Sequence, residues 1–172
     1  VKIKGSSPTS ATALAMKDFV KEKCPQIKNI IICETLEEAI RDTDIVSEAV
    51  SCKEGEWPEY KREWFKPGAL VISTSTFNME YNSIKDIKKV VDNYGMYENY
   101  ADEDEMELDE NGVRKHTGCM GEDFVYMVRD GLIERDSIIQ LGDIIRGKAE
   151  GRTSDDEVIL VSIEGMPIED VA

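Results

Sequence analysis

Short runs rich in β-branched residues alternate with helical patterns along this chain. Such runs are typical of strands buried in a parallel sheet, and they lie at 1–4, 29–33, 44–50, 69–74, 89–93 and 158–163. Apolar residues recur at helical spacing in the segments between them, which predicts helices at 9–23, 35–41, 122–130 and 137–145. This alternation is typical of βαβ units. It predicts an α/β fold with a doubly wound, mostly parallel sheet and helices on both faces.

Local signals mark where the first helices begin. Ser7 or Thr9 can act as the N-cap of the first helix, because Pro8 fits an early helical position. Thr35 is followed three residues later by Glu38, the spacing of a capping box. Both helices therefore begin shortly after a predicted strand, as a βαβ arrangement requires.

Ligands of open α/β sheets bind outside the carboxyl ends of the strands. Four segments follow predicted strands in this way, namely Gly5–Ser7, Val50–Cys52, Ser73–Phe77 and Ile163–Pro167. Glu48 is a further candidate, because a carboxylate in an otherwise apolar strand must find a partner. We expect a binding site at this edge of the sheet.

The composition is that of one globular domain, which we place at residues 1–172. The chain has 172 residues, and its 36 acidic residues against 21 basic ones give a formal net charge of −15. Nucleic acid and anionic membranes both favour a basic surface, so neither is an expected partner. The longest apolar runs are too short for a transmembrane helix. The opening residues lack the apolar segment of a signal peptide, and we expect a cytoplasmic protein.

The cysteines and the acidic runs do not predict a metal site. The four cysteines, Cys24, Cys33, Cys52 and Cys119, include no C-x-x-C pair, so we expect free thiols. Three consecutive carboxylates at 155–157 cannot all face one ion. The acidic segment 100–110 is predicted to be a surface loop, and His116, the single histidine, to be a loop residue.

Four blocks of the sequence resemble one family. Residues 36–46, LEEAIRDTDIV, and residues 64–69, WFKPGA, are similar to two passages of the ornithine cyclodeaminase/mu-crystallin family. The block GRTSDDEV at 151–158 and the block GMPIEDVA at 165–172 resemble the family's last conserved passages. The spacing between the blocks also matches, so the resemblance covers nearly the whole chain.

The resemblance implies a Rossmann domain that binds NAD or NADP, within a larger and usually homodimeric enzyme of amino or imino acids. The shared chemical step of such enzymes is hydride transfer at a carbon that bears nitrogen. The strand ends and the resemblance together give the candidate cofactor-binding residues: Gly5, Ser6, Ser7, Val50, Ser51, Ser73, Thr74, Ser75, Met166 and Asp170.

Two features indicate that this chain is part of a longer protein. The G-x-G-x-x-G turn that approaches the pyrophosphate belongs, by the resemblance, to a strand before Val1. That strand is central in the usual 3-2-1-4-5-6 order, so the first and third predicted strands would lack a neighbour. The family's substrate and dimerisation domain is also absent from these residues.

The loop after the fourth strand departs from the family pattern. Ornithine cyclodeaminases carry a catalytic Asp there, in a column that falls near Thr76 or Phe77, and residues 73–79 contain no carboxylate. A carboxylate could take a proton or pair with a substrate ammonium. Ornithine cyclodeamination is therefore doubtful, and a dehydrogenase or reductase of another amino or imino acid fits better.

The residue that usually distinguishes NAD from NADP also departs from the usual pattern. An NAD enzyme normally ends its second strand in an acidic residue that binds the ribose hydroxyls, and Gly5 stands at that position. Without the acid, Lys4, Ser6 and Ser7 could donate to a 2′-phosphate, which favours NADP over NAD. Alternatively, this segment is only a turn and a helix cap.

Three interpretations of the whole remain open. The chain can be the cofactor-binding part of an oxidoreductase that acts on a small amino or imino acid. It can instead be a non-catalytic, crystallin-like NADP-binding protein, which the missing loop Asp favours. Finally, it can be an inactive fragment, because the first strand of the Rossmann sheet is missing.

Overall fold

The computed structural model describes residues 1–5, 10–50, 56–103 and 119–165. The chain divides into two compact units, residues 1–43 and residues 44–172. The single domain expected for 1–172 stays a prediction.

Unit 1–43 contains two strands and two helices, β1 (Lys2–Ile3), α1 (Ala11–Lys23), β2 (Ile31–Ile32) and α2 (Leu36–Ile40). The two strands pair in parallel. Ser10 caps α1 by accepting a hydrogen bond from the Ala13 amide. The predicted N-caps, Ser7 and Thr9, are therefore wrong, and the helix begins two residues after its predicted start at residue 9. The capping box of Thr35 and Glu38 is confirmed.

The second predicted strand is shorter and less buried than its sequence indicates. Ile31 is 54% exposed, whereas Cys33 is buried. The continuous apolar run predicted burial on both faces, and the structure places one face of β2 at the surface of this unit.

Unit 44–172 is built on a five-stranded sheet. Its elements are β3 (Ile45–Glu48), β4 (Leu70–Ser73), α3 (Tyr81–Ile84), β5 (Lys88–Val91), α4 (Tyr94–Glu103), α5 (Met120–Arg129), β6 (Ile138–Gln140), α6 (Leu141–Ile145) and β7 (Ile159–Ser162). The strand order is β3-β4-β7-β5-β6, and every pair is parallel. Helices flank this sheet, so the predicted α/β class with a parallel sheet is confirmed.

The structure corrects two predicted segments. The helix predicted over 137–145 is a strand, Ile138–Gln140, followed by the short helix α6. Ile138 and Ile139 suit either a helical face or a strand, and pairing with β5 decides for the strand. The predicted loop at 100–110 begins inside α4, which ends at Glu103, and its remainder lies outside the described residues.

The expectations of free thiols, of no metal site and of no membrane-spanning helix can be compared only with the described residues. Cys24, Cys33 and Cys119 are free thiols, while Cys52 and His116 lie outside the described residues. Within the described ranges, no group of three or more His, Cys, Asp or Glu side chains could hold a metal ion. Among the helices that the structure describes, none combines the length and the apolar character that a membrane span requires.

The turn before β4 depends on a glycine. Gly68 has φ of +79°, and a Cβ there would lie 2.3 Å from the Asp155 carbonyl oxygen. We expect Gly68→Ala to lower the free energy of unfolding by roughly 2–4 kcal/mol, because it adds a backbone clash to a left-handed conformation. Chemical denaturation followed by tryptophan fluorescence measures this change.

Gly131 provides the matched control for Gly68. Its φ is +69°, and a Cβ there would meet nothing within 4 Å. Gly131→Ala should therefore cost only about 1 kcal/mol, the strain of the left-handed conformation alone. Equal losses in the two variants would show that the Asp155 contact contributes nothing.

Candidate functional site at the carboxyl edge of the sheet

Four neighbouring strands end level with one another in the five-stranded sheet. The register pairs Glu48 with Ser73, Ser73 with Ser162, and Ser162 with Val91. Polar side chains therefore meet where the strands end. We call this set the carboxyl-edge cluster: Glu48, Ser73, Ser75, Asp92, Tyr97, Ser162 and Glu164.

Glu48 ties β3 to the end of β4. Its buried carboxylate accepts hydrogen bonds from the Ser73 hydroxyl (2.7 Å), the Ser75 hydroxyl (2.8 Å) and the Val50 amide (2.7 Å). Charge-assisted bonds of this kind are stronger than neutral ones. The hydrogen-bond partners that we expected for Glu48 from the sequence are thus present. One carboxylate binds the chain where it leaves β3 and where it leaves β4.

Asp92 and Tyr97 bind the backbone that follows β7. The Tyr97 hydroxyl donates to Asp92 Oδ1 (2.7 Å) and accepts from the Glu164 amide (3.2 Å), while the Gly165 amide donates to Asp92 Oδ2 (3.1 Å). The amide of Ile163 donates to the Ser73 carbonyl (2.9 Å). Three consecutive amides after the strand are therefore held, two of them by side chains of the cluster.

A glycine in α5 makes room for Tyr97. The Tyr97 ring is fully buried, and a Cβ on Gly121 would lie 2.5 Å from its atoms. The close approach of α5 to α4 therefore depends on Gly121. Burial raises the pKa of the Tyr97 hydroxyl well above its ordinary value, so this group stays protonated and serves as a hydrogen-bond donor.

Glu164 differs from the other acids of the cluster. Its Oε1 atom is buried and has no hydrogen-bond partner among the described residues. Burial, followed by the negative charges of Asp92, Glu48 and Glu122, raises the pKa of Glu164 to about 7. The group can therefore gain or lose a proton near neutral pH.

The loop after β4 is anchored by aromatic packing. Phe77 is fully buried and stacks on Tyr60 with ring centroids 4.3 Å apart. Phe77 thus turns into the core, near the column where the family carries its Asp. The loop has no carboxylate of its own, but Glu48 from the neighbouring strand contacts Ser75 within it.

The structure brings some of the predicted site residues together. Val50, Ser73 and Ser75 meet around Glu48, and the Thr74 hydroxyl donates to the Glu48 carbonyl (3.2 Å). Gly5 belongs to the other unit, 1–43. The remaining predicted residues, Ser6, Ser7, Ser51, Met166 and Asp170, lie outside the described residues.

The candidates named from the sequence do not include Asp92 and Tyr97, whereas Glu164 lies within the predicted segment Ile163–Pro167 but is not singled out. Asp92 comes directly after the apolar end of β5, and Glu164 comes two residues after β7. Both stand at a strand's carboxyl end, which is a usable signal. Tyr97 lies inside a helix that the sequence pattern did not predict, and no local feature of the sequence indicates its role.

Comparison with known proteins decides the family. The model of the ornithine cyclodeaminase/mu-crystallin family matches residues 1–172. The chain belongs to this family. The resemblance seen in the four sequence blocks is thereby confirmed over the full length of the chain.

One curated relative and two solved structures illustrate the family. N-((2S)-2-amino-2-carboxyethyl)-L-glutamate dehydrogenase of Staphylococcus aureus (strain NCTC 8325 / PS 47) is 26% identical over 157 residues, which are 90% of this chain and 40% of the relative. The Δ1-pyrroline-2-carboxylate reductase of Thermococcus litoralis, solved with NADH and L-proline, is 20% identical with a TM-score of 0.60. The match covers 98% of this chain and 46% of the reductase.

The iminosuccinate reductase of Paracoccus denitrificans, solved with NAD⁺, gives a TM-score of 0.65 at 17% identity. The match covers 99% of this chain and 45% of the reductase. These similarities show the shared fold, and this chain spans less than half the length of each relative.

Proposed function

We propose that this chain is the cofactor-binding part of an NAD(P)-dependent oxidoreductase that acts on a small amino or imino acid. The observation that carries the proposal is the family match over residues 1–172. The bacterial and archaeal relatives are dehydrogenases and reductases of amino or imino acids. The whole protein would then act as a homodimer in the cytoplasm, in keeping with the family resemblance.

The carboxyl-edge cluster fits a nicotinamide nucleotide. Ser75 and the exposed Thr74 are small hydroxylated side chains at the end of β4, and the buried Ser73 hydroxyl beside them is bound to Glu48. The buried, unpartnered Oε1 atom of Glu164 is a free acceptor at the same edge. These residues would line the site within unit 44–172. A bound nicotinamide supplies the hydride chemistry, while the protein supplies position and charge.

The end of β1 supports NADP as the preferred cofactor. A Cβ at Gly5 would lie 2.8 Å from the Ser10 Oγ atom, which caps α1. Gly5, two residues after β1, has no acidic side chain that would repel a 2′-phosphate. This preference is part of the proposal, and Gly5, Ser6 and Ser7 are its proposed contacts.

Ornithine cyclodeamination is not the proposed reaction. Residues 73–79 lack a carboxylate, and the Glu48 carboxylate beside them already accepts several hydrogen bonds. We propose oxidation or reduction of another amino or imino acid. A crystallin-like protein without turnover is the second candidate, and the same missing carboxylate favours it.

Thermal melts with and without cofactor test the proposal. A ligand that binds only the folded state raises the midpoint by mass action. We expect millimolar NADP⁺ to raise the midpoint by several degrees and NAD⁺ to raise it less. Assays of the full-length protein should then show hydride transfer with an amino or imino acid. Binding without any turnover would favour the crystallin-like candidate, and no shift with either nucleotide would contradict both.

A further inference from the structure

Glu164 is held in place through its own backbone. Its amide donates to the Tyr97 hydroxyl, and the next amide, that of Gly165, donates to Asp92. Tyr97 in turn donates to Asp92, so the three contacts form one closed set. Gly165 has φ of +72°, a conformation that favours glycine. The chain therefore leaves β7 along a fixed path that carries the Glu164 side chain to the carboxyl edge.

The surroundings of Glu164 are strongly acidic. Asp92 at the end of β5, Glu48 at the end of β3 and Glu122 in α5 lie near enough for their negative charges to raise the pKa of Glu164, after the larger effect of burial. Cys119, at the start of α5, is near enough for the Glu164 charge to raise the pKa of its thiol, after the larger effect of burial. None of these neighbours is a cation, and a positively charged ligand group would offset the repulsion among the carboxylates.

A nicotinamide nucleotide brings such a charge in only one of its redox states. The oxidised nicotinamide ring is a cation and the reduced ring is neutral. In dinucleotide-binding folds one half of the sheet holds the adenosine ribose, through a residue at the end of its second strand. That residue corresponds to Gly5, in unit 1–43. Glu164 follows β7 at the carboxyl edge of unit 44–172, where the proposed function places the nicotinamide.

We propose that Glu164 makes this site discriminate between the oxidised and the reduced cofactor, its carboxylate favouring the cationic ring, and that Asp92 and Tyr97 are positioning residues for it. This inference rests on the proposed function. The expected direction follows from the protonation of Glu164, whose pKa of about 7 lies inside the usual assay range. As the pH rises through 7, the carboxylate gains its charge and the oxidised cofactor binds more tightly, while the reduced cofactor gains nothing.

The test compares dissociation constants of the oxidised and the reduced form of one cofactor at about pH 6 and pH 8. We expect the ratio of Kd for the reduced form to Kd for the oxidised form to rise by roughly threefold to tenfold between these pH values. Glu164→Gln should make the ratio independent of pH. Glu150→Gln, at an exposed position before β7, is the matched control and should leave the rise unchanged.

Two further variants test whether Tyr97 positions Glu164 and whether His116, rather than Glu164, causes the pH dependence. Tyr97→Phe removes the hydroxyl that holds the Glu164 amide, so the rise of the Kd ratio with pH should become smaller. If Tyr97 had only a structural role, the variant would bind the oxidised and the reduced cofactor equally more weakly, and the rise of the ratio would stay the same. A free histidine side chain changes its charge in this pH range, and His116 is the single histidine of the chain. The variant His116→Asn must therefore retain the rise in the Kd ratio. A rise lost in His116→Asn would overturn the proposal.

A calorimetric measurement on the unmodified protein keeps the proposal testable if Glu164→Gln does not fold. At pH 7 the oxidised form should release roughly a third to a half of a proton on binding, and the reduced form none. Equal proton release with both forms, or a ratio that is flat with pH, would overturn the role of Glu164 alone. Failure of both forms to bind would overturn the proposed function as well.

Discussion

Phe77→Ala should lower the free energy of unfolding of unit 44–172 by about 3–5 kcal/mol. The Phe77 ring is fully buried and stacks on Tyr60, with Phe65 at a centroid distance of 6.4 Å. Its loss leaves a cavity beneath the loop that carries Ser75. Chemical denaturation followed by tryptophan fluorescence reports on this unit, because Trp57 and Trp64 both lie within it.

Two variants control for the size of this effect. Phe77→Leu fills much of the cavity and should recover about half of the loss. Leu132→Ala removes an apolar side chain that is 44% exposed, and it should cost less than about 1 kcal/mol. A loss below about 1 kcal/mol in Phe77→Ala would show that the loop after β4 is not anchored by this ring.

Glu48→Ala should lower the free energy of unfolding by about 2–4 kcal/mol. The substitution removes the common acceptor of Ser73, Ser75 and Val50. The half-buried Ser75 hydroxyl and Val50 amide lose this partner, while the buried Ser73 hydroxyl keeps the Ser75 carbonyl at 2.9 Å. Glu48→Gln keeps the shape and one oxygen acceptor, so its cost should be about half as large. The same denaturation experiment measures both variants.

A double-mutant cycle with Ser75→Ala tests whether the contact itself carries the energy. We expect a coupling of about 1 kcal/mol between Glu48 and Ser75. Replacing a buried charge can also be neutral or stabilising. An unchanged or increased stability in Glu48→Ala would therefore contradict a structural role for the carboxylate.

The fold was largely predictable because its signals are local. β-Branched runs at 69–74 and 158–163 predict β4 and β7, and the capping box at Thr35 predicts the start of α2. The prediction of a helix at Ile138 and Ile139 is wrong because two adjacent apolar residues fit a helix and a strand equally well. Only pairing with β5, a contact distant in sequence, selects the strand.

The candidate site was predictable in position but not in composition. Parallel strands end at one edge of a sheet, so the segments after β3, β4 and β7 could be named in advance. Which side chains meet there depends on the register and on helix packing. Tyr97 reaches Asp92 because Gly121 admits its ring, and no sequence period encodes that approach.

Nucleotide binding at the carboxyl edge is the central claim, and one titration tests it most directly. NADPH and NADH are titrated into the unmodified protein, into Thr74→Trp, and into Glu150→Trp, with binding measured by calorimetry. Thr74 is exposed at the end of β4, and Glu150 is exposed before the start of β7. We expect saturable binding to the unmodified protein and to Glu150→Trp, and at least tenfold weaker binding to Thr74→Trp. Undiminished binding to Thr74→Trp, or no binding to the unmodified protein, would contradict the claim.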